Sequence, residues 1–178
     1  MQPRIVNADP VADPQGYQRE LLGILGELDP VEVLAATPAA FRAAAGQLDA
    51  GLLGRAPAAG EWSPHELLGH LFDAEIAYAF RARAVLAQPR PALIGYDQEA
   101  WAALAHPEFG ELLAAFAALR TADLALVRAT PAAAWERVGD HAERGPTSFR
   151  LLTETMAGHD RAHLRQLDQA VAALRAAG

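Results

Sequence analysis

Residues 147–176, near the end of the chain, have the pattern of one long amphipathic helix. Apolar or small residues recur there at helical spacing, at Leu152, Met156, Leu167, Ala170, Val171 and Leu174. Continued through the middle of the stretch, the same stripe passes through His159 and His163. Two imidazoles therefore stand where the buried face of a helix should be. The fold must supply partners for them, because a buried polar group without partners is costly.

His159 and His163 lie one helical turn apart on the same face, so both rings can reach a single point from a rigid backbone. This geometry suits a bound metal ion. The alternative is a pair of core or boundary histidines that hydrogen-bond to their neighbours, and the pair alone favours that alternative. A third histidine on another buried stretch would favour the metal site over the hydrogen-bonded pair.

The clearest helix start in the sequence leads to such a histidine. Ser63 is placed to cap the helix, Pro64 to occupy its first position, and Glu66 to complete a capping box. The helix is predicted to run to about Ala87. Its inward face follows Leu67, Leu71, Ala74, Tyr78, Ala82 and Val85. His70 lies on that same face.

Helical spacing also predicts the remaining elements of an all-α protein. Further helices are expected at residues 17–28, from Thr37-Pro38 to about residue 51, from Asp97 to His106-Pro107, at residues 108–128, and as one turn after Pro131. Residues 88–96 and 137–146 are predicted to be loops, and residues 1–15 an N-terminal arm that docks or stays loose. No stretch alternates long enough at period two to predict a strand.

The length and composition predict one domain and disfavour some partners. With 178 residues, 52% of them hydrophobic, the chain can fill one core, so a single four-helix bundle with short extra helices is expected over residues 1–178. A net charge of −7 without a basic stripe disfavours nucleic acid and membrane surfaces. The absence of a long apolar run and of a signal-peptide pattern predicts a cytoplasmic protein. Since cysteine is absent, a metal must be held by nitrogen and oxygen ligands.

Inward-facing side chains of different helices converge in a bundle, and metal sites are commonly built there. His70, His159 and His163 would supply three nitrogen ligands and leave positions open for water or substrate, which is typical of a catalytic site. The alternative is three unrelated polar residues near the core, satisfied in part by acidic neighbours. Residue spacing leaves both interpretations open.

Several segments resemble those of the DinB-like (YfiT-like) metalloenzyme superfamily. They are Glu61-Trp62-Ser63, Leu68-Gly69-His70 with Asp73 and Glu75, Trp135 and Arg137 with His141, and Ala157-Gly158-His159-Asp160 with His163 and Gln166. The resemblance covers roughly residues 38–172. It implies a four-helix bundle with an unusual helix order, often dimeric, that holds a divalent ion such as nickel or zinc. The ligands that it implies are His70, His159 and His163, the set that spacing also selects.

The resemblance further implies an activity. Several members of the superfamily are similar to transferases that add a low-molecular-weight thiol to electrophiles, and the lack of cysteine fits a thiol supplied as cosubstrate. We therefore expect a homodimeric thiol S-transferase acting on a small molecule. The alternatives are a metal-dependent hydrolase, whose ion activates water, and a non-catalytic metal-binding bundle of a stress response.

Asp73, Asp160 and His141 are candidate catalytic groups around the three histidines. The side chain of Asp160 points about 100° away from that of His159, which favours a role as an inter-helix partner. Asp73, three residues after His70, is placed to orient the ring of that histidine. His141 is expected at the rim, with a surface position favoured. Structural or exposed positions are predicted for His65 and His106. Arg120 and Arg161 could bind an anionic substrate, but a solvated position is favoured for both.

Overall fold

The computed structural model describes residues 5–177, and most of them are helical, as predicted. The helices are α1 (Pro14–Leu25), α2 (Pro30–Ala45), α3 (Pro64–Ala87), α4 (Gln98–Ala102), α5 (Phe109–Ala129) and α6 (Phe149–Ala176). The strands are β1 (Ala92–Leu93), β2 (Val138–His141) and β3 (Gly145–Ser148). Short 3-10 helices lie at Ala50–Leu52 and Ala132–Glu136. None of the helices between residues 5 and 177 is long and apolar enough to cross a bilayer.

The four longest helices form a bundle with an uncommon order. Helix α2 packs against both α5 and α6, and α3 packs against the same two helices. Helices α2 and α3 therefore lie at opposite corners, and so do α5 and α6. In a simple up-and-down bundle, consecutive helices would be neighbours instead. Helix α1 lies outside this bundle, against α6.

The second helix begins earlier than predicted, at Pro30 instead of at Pro38. Asp29 caps it, because the Asp29 carboxylate accepts the backbone N–H of Val31 at 2.7 Å. The Asp29-Pro30 pair, which directly follows the helix predicted at residues 17–28, starts the second helix, with proline in the first turn. The predicted start at Thr37-Pro38 is thus wrong.

Pro38 lies inside α2, where proline normally breaks a helix because it has no N–H to donate to the carbonyl four residues earlier. That carbonyl belongs to Leu34, and it accepts a hydrogen bond of 2.8 Å from the guanidinium of Arg120 on α5. A buried side chain therefore satisfies the backbone group that Pro38 leaves unpaired. This contact explains how the helix continues through the proline.

A small sheet forms in the two segments that were predicted to be loops. Strand β1 pairs in parallel with β2, and β2 pairs with β3 in an antiparallel hairpin. The prediction that no strand would form is therefore wrong. These strands have only two to four residues each, which is too short for an alternating pattern to be recognised.

Helix α1 crosses α6 at Gly158. A Cβ atom at residue 158 would collide with the backbone carbonyl of Leu21 and lie 3.2 Å from its Cα. Glycine is therefore needed for this close approach. Before α1, the N–H groups of Asn7 and Ala8 donate to the carboxylate of Glu20 at 2.7 and 3.1 Å. The described part of the arm is docked there, while residues 1–4 lie outside the described residues.

A polar layer divides the core into two apolar clusters. One cluster includes Leu34, Ala74, Leu124 and Ala157, and the other includes Phe41, Leu71, Phe116 and Leu167. Each of the four bundle helices contributes to both clusters, so each crosses the layer between them. Buried polar residues occupy the layer, among them Glu75, Arg120, His159 and Asp160. The predicted site therefore lies at mid-height of the bundle.

Candidate metal centre

The structure brings together the three histidines that the sequence selects. His70 lies on α3, while His159 and His163 lie one turn apart on α6. One ring nitrogen from each lies within 4.8 Å of the others, and the Nε2 atoms of His70 and His159 are 2.9 Å apart. The centroids of the three rings are 4.4 to 4.9 Å from one another. The capping box at Ser63 and Glu66, predicted from the sequence, anchors the start of α3 and thus the position of His70.

A glutamine fixes the tautomer of His163. The Oε1 atom of Gln166 lies 3.0 Å from Nδ1 of His163, one turn along α6. A carbonyl oxygen can only accept, so Nδ1 carries the proton and the Nε2 lone pair is left to bind another group. Histidines that bind metals usually donate their second N–H in this way.

All three imidazoles are neutral at neutral pH. Burial lowers the pKa of His70 and of His159 well below the usual value, and the nearby ring of His163 adds to both shifts. Burial also lowers the pKa of His163 to about 4. Neutral imidazoles with converging lone pairs are the state that a metal requires of its ligands. The buried Nδ1 of His159 has no hydrogen-bond partner within residues 5–177. These donors fit a divalent cation.

The site opens into a large cavity. The cavity has a volume of about 1430 Å³ and is lined by His159, His163 and Gln166 together with aromatic residues. Trp62 forms a wall of it, with its ring 4.9 Å from that of His70 and 6.3 Å from that of His163. A small molecule in this cavity would meet the face of the histidine cluster that the helices do not cover.

Comparison with known proteins assigns the chain to a family. The sequence model of the DinB superfamily matches residues 34–167. The chain belongs to the DinB superfamily. YfiT from Bacillus subtilis, described as a probable metal-dependent hydrolase with an unusual four-helix bundle topology, has a similar structure. The TM-score is 0.73 with 18% sequence identity, over 96% of this chain and 91% of that chain, which shows a shared fold. A search of curated proteins finds no match.

In this DinB-superfamily chain, one arginine ties the four bundle helices together beside the histidines. Arg120 of α5 donates to both carboxylate oxygens of Glu75 on α3 at 2.8 Å, and to Asp160 on α6 at 2.6 Å. Its bond to the carbonyl of Leu34 adds α2. Asp160 is thus an inter-helix partner, as predicted. The prediction that Arg120 is solvated is wrong, since the residue is 1% exposed.

The other candidate residues lie in different surroundings from those expected. Asp73 accepts a hydrogen bond from His106 at 3.2 Å, and none joins it to His70 within residues 5–177. His141 is buried at the end of β2, so the prediction of a surface position is wrong. Burial, together with the guanidiniums of Arg144 and Arg81, lowers the pKa of His141 to about 4.

Two of the remaining predicted positions are structural contacts in this DinB-superfamily member. The Nε2 atom of His65 lies 2.9 Å from the carbonyl oxygen of Pro107, in keeping with a structural role. Arg161 donates to the carbonyl of Ile24 at 3.0 Å, which joins α6 to α1.

Sequence reasoning missed the role of Arg120 and that of Gln166. Arg120 follows Phe116 and precedes Leu124 at intervals of four residues, so it stands on the apolar stripe of its helix just as His159 does. Gln166 follows His163 by three residues and is therefore on the same side of α6. Both positions were visible as polar residues on, or beside, a buried face.

Proposed function

We propose that this protein is a divalent-metal-dependent hydrolase of small molecules, with His70, His159 and His163 as the ligands of its ion. The observation that carries the proposal is the convergence of three neutral imidazoles, with nitrogens within 4.8 Å, beside a cavity. Three protein ligands leave room for water or substrate, whereas structural zinc sites are normally closed by four. The description of YfiT as a probable metal-dependent hydrolase favours hydrolysis.

The residues around the ligands hold the site in shape. A divalent ion held by the three histidines would act as a Lewis acid and would lower the pKa of water toward about 7. Gln166 fixes the orientation and tautomer of His163 through its bond to Nδ1. Trp62 packs against the rings of His70 and His163 and so limits their movement. Asp160 accepts the hydrogen bond from Arg120 and so holds the turn of α6 that carries His159.

Metal content and ester hydrolysis test this proposal. Protein purified without chelator and without an affinity-tag nickel column is expected to carry one divalent ion per chain, zinc or nickel, because imidazole suits both. It is expected to hydrolyse 4-nitrophenyl acetate faster than the free ion does. His163→Ala should abolish both properties with the helical circular dichroism retained. His65→Ala, which alters a histidine bound to the Pro107 carbonyl, should change neither. Metal-free protein that binds no added zinc would refute the proposal.

Thiol transfer is the second candidate, and the size of the cavity favours it. Pockets for single small ligands usually measure roughly 300–1,000 Å³, and this cavity of about 1430 Å³ has room for a thiol cosubstrate as well. Zinc-loaded protein incubated with bacillithiol or mycothiol and an aryl halide electrophile would reveal conjugation. Conjugation without ester hydrolysis would replace the hydrolase with the transferase. Zinc binding with neither reaction would leave a metal-binding module.

A homodimer is also part of the proposal. Ile76 and Phe80, one turn apart on α3, are exposed large hydrophobic residues that a second copy would cover. Sedimentation equilibrium of the zinc-loaded protein measures the oligomeric state, and a monomer at micromolar concentration would exclude the dimer.

A further inference from the structure

Two arginines face the cavity from the side of the small sheet. Arg144 lies in the turn between β2 and β3, and Arg81 lies on α3. Both line the same cavity as His159 and His163. Two cations on the wall of a cavity that also contains a candidate metal site call for an explanation.

Arg144 lacks a partner for its charge. Its Nε is buried without a hydrogen-bond partner, and its guanidinium forms no ion pair within residues 5–177. Burial lowers its pKa, and the charge of the neighbouring Glu143 offsets this effect only in part. Glu143 is itself exposed and donates its backbone N–H to His141, while its carboxylate forms no hydrogen bond to either arginine. Leaving a charged donor buried and unpaired is costly unless a ligand completes it.

Arg81 is held in place but not neutralised. Its Nε and Nη2 both donate to the carbonyl oxygen of Ile94, at 3.1 and 2.7 Å, which fixes the plane of the guanidinium. Its Nη1 has no acceptor within the described residues, and Arg81 as a residue is 9% exposed. The charge of Arg144 lowers the pKa of Arg81 further, beyond the effect of burial. The two guanidiniums therefore destabilise each other, and an anion between them would stabilise both.

Two phenols complete this part of the wall. Tyr17 of α1 and Tyr96 of the loop after β1 line the cavity, and the Tyr96 ring lies 5.8 Å from the guanidinium carbon of Arg81. Burial raises the pKa of Tyr17 to about 12 and raises that of Tyr96 as well. Both hydroxyls therefore stay protonated and can donate to an oxyanion. The wall offers cations, phenolic donors and flat apolar rings together.

We infer that Arg144 and Arg81 bind the carboxylate of a small organic acid in this cavity. For the reaction, the substrate would be an ester or amide that carries a free carboxylate at the end remote from the scissile bond. Only the placement of the scissile bond at the three histidines rests on the proposed function. Both arginines line the same cavity as His159 and His163, so one small molecule can reach both parts of it.

Calorimetric titration with benzoate and with its uncharged analogue benzamide tests the inference. Zinc-loaded protein should bind benzoate about tenfold more tightly than benzamide, and Arg144→Gln should remove that preference. Arg150→Gln, at an exposed arginine paired with Glu136, should leave it unchanged. The same titrations on metal-free protein test whether benzoate binds only to the zinc ion. The preference for benzoate over benzamide should persist in the metal-free protein. Equal binding of both ligands, or an unchanged preference in Arg144→Gln, would overturn the inference.

Two further measurements separate this inference from the proposed hydrolase. Arg144→Lys keeps the charge but loses the planar fork, so it should retain part of the preference and exclude misfolding as the cause of the loss in Arg144→Gln. In hydrolysis, the 4-nitrophenyl monoester of succinic acid should have a higher kcat/KM than 4-nitrophenyl acetate, by about tenfold. Benzoate binding through Arg144 without hydrolysis of either ester would support the carboxylate site and refute the hydrolase. Hydrolysis of both esters at equal kcat/KM, with no preference for benzoate, would support the hydrolase and refute the carboxylate site.

Discussion

Asp160 directly follows His159 in the chain, and its carboxylate accepts a hydrogen bond of 2.6 Å from Arg120. Because the same guanidinium also binds Glu75 and the carbonyl of Leu34, one side chain fixes all four bundle helices at the height of the histidines. The ion pairs are fully buried, with both carboxylates 0% exposed. The polar layer is therefore a structural support for the site, and removing Arg120 would leave the carboxyl groups of Glu75 and Asp160 in the core without this partner.

Replacement of Arg120 by methionine should destabilise the protein strongly. Removing one partner of a buried ion pair costs about 3–5 kcal/mol, because the remaining charge is left buried and unpaired. Urea unfolding of metal-free protein measures this loss. Arg150→Met, which breaks the exposed pair with Glu136, should cost no more than about 1 kcal/mol. Equal effects of the two substitutions would show that the layer contributes no special support.

The sequence predicted helices best where a capping residue and an apolar face indicated the same helix, as Ser63 and the apolar face of α3 do. It failed at Pro38, because the partner of the Leu34 carbonyl is a side chain on a helix far along the chain. Local rules treat an interior proline as a break and cannot anticipate a remote donor. The small sheet was missed for a similar reason: Leu93 pairs with His141, and nothing in either short segment indicates the other.

The candidate ligands were predictable because each of the three histidines interrupts an apolar stripe. Their meeting was a consequence of packing α3 against α6, which bundle geometry makes common. The paired roles of Asp73 with His106 and of Arg120 with Asp160 were not predictable, since both depend on which helix faces which. Contacts between side chains on different helices were therefore the part that sequence spacing could not supply.

Gln166→Leu should weaken zinc binding without unfolding the protein. Loss of the acceptor at Nδ1 frees the His163 ring to rotate and change tautomer, and losses of such outer partners usually cost about 10–100-fold in metal affinity. Competition with a chromophoric chelator measures the affinity. Gln169→Leu, on the same helix and also lining the cavity, makes the same change of side chain without loss of a hydrogen bond to a histidine. It should bind zinc as the wild type does, and an equal loss in both variants would contradict the role of Gln166.

Gly158→Ala should destabilise the docking of α1. The added methyl would strike the Leu21 backbone, which cannot move aside as a flexible side chain would, so a loss of about 1–3 kcal/mol is expected in urea unfolding. The matched control is Gly23→Ala on α1, where nothing lies within 4 Å of the new methyl. That control should stabilise the protein by about 0.5–1 kcal/mol through helix propensity. A neutral result for Gly158→Ala would mean that α1 is not held at this crossing.

In the metal-free protein, the contribution of His163 to the free energy of unfolding should fall as the pH falls from about 6.5 toward 4. His163 has a pKa of about 4 when folded, whereas an unfolded histidine titrates near 6.5, so between these values the unfolded state binds more protons. The contribution of His163 to the free energy of unfolding is fully present above the pKa of the unfolded histidine, and it is lost as the pH falls toward the folded pKa. Urea midpoints of wild type and His163→Gln, compared from pH 4 to 7.5 with chelator present, measure it.

The quantity to examine is the difference in stability between wild type and His163→Gln at each pH, because other groups titrate in the same range. Burial raises the pKa of Glu75 to about 7, so that residue contributes stability that is lost as the pH rises, opposite in sign to the histidine. The Glu75 contribution is present in both proteins and cancels in the difference. The stability of wild type relative to His163→Gln should therefore fall steadily below pH 6.5. A difference that is independent of pH would mean that His163 is not held neutral by its surroundings.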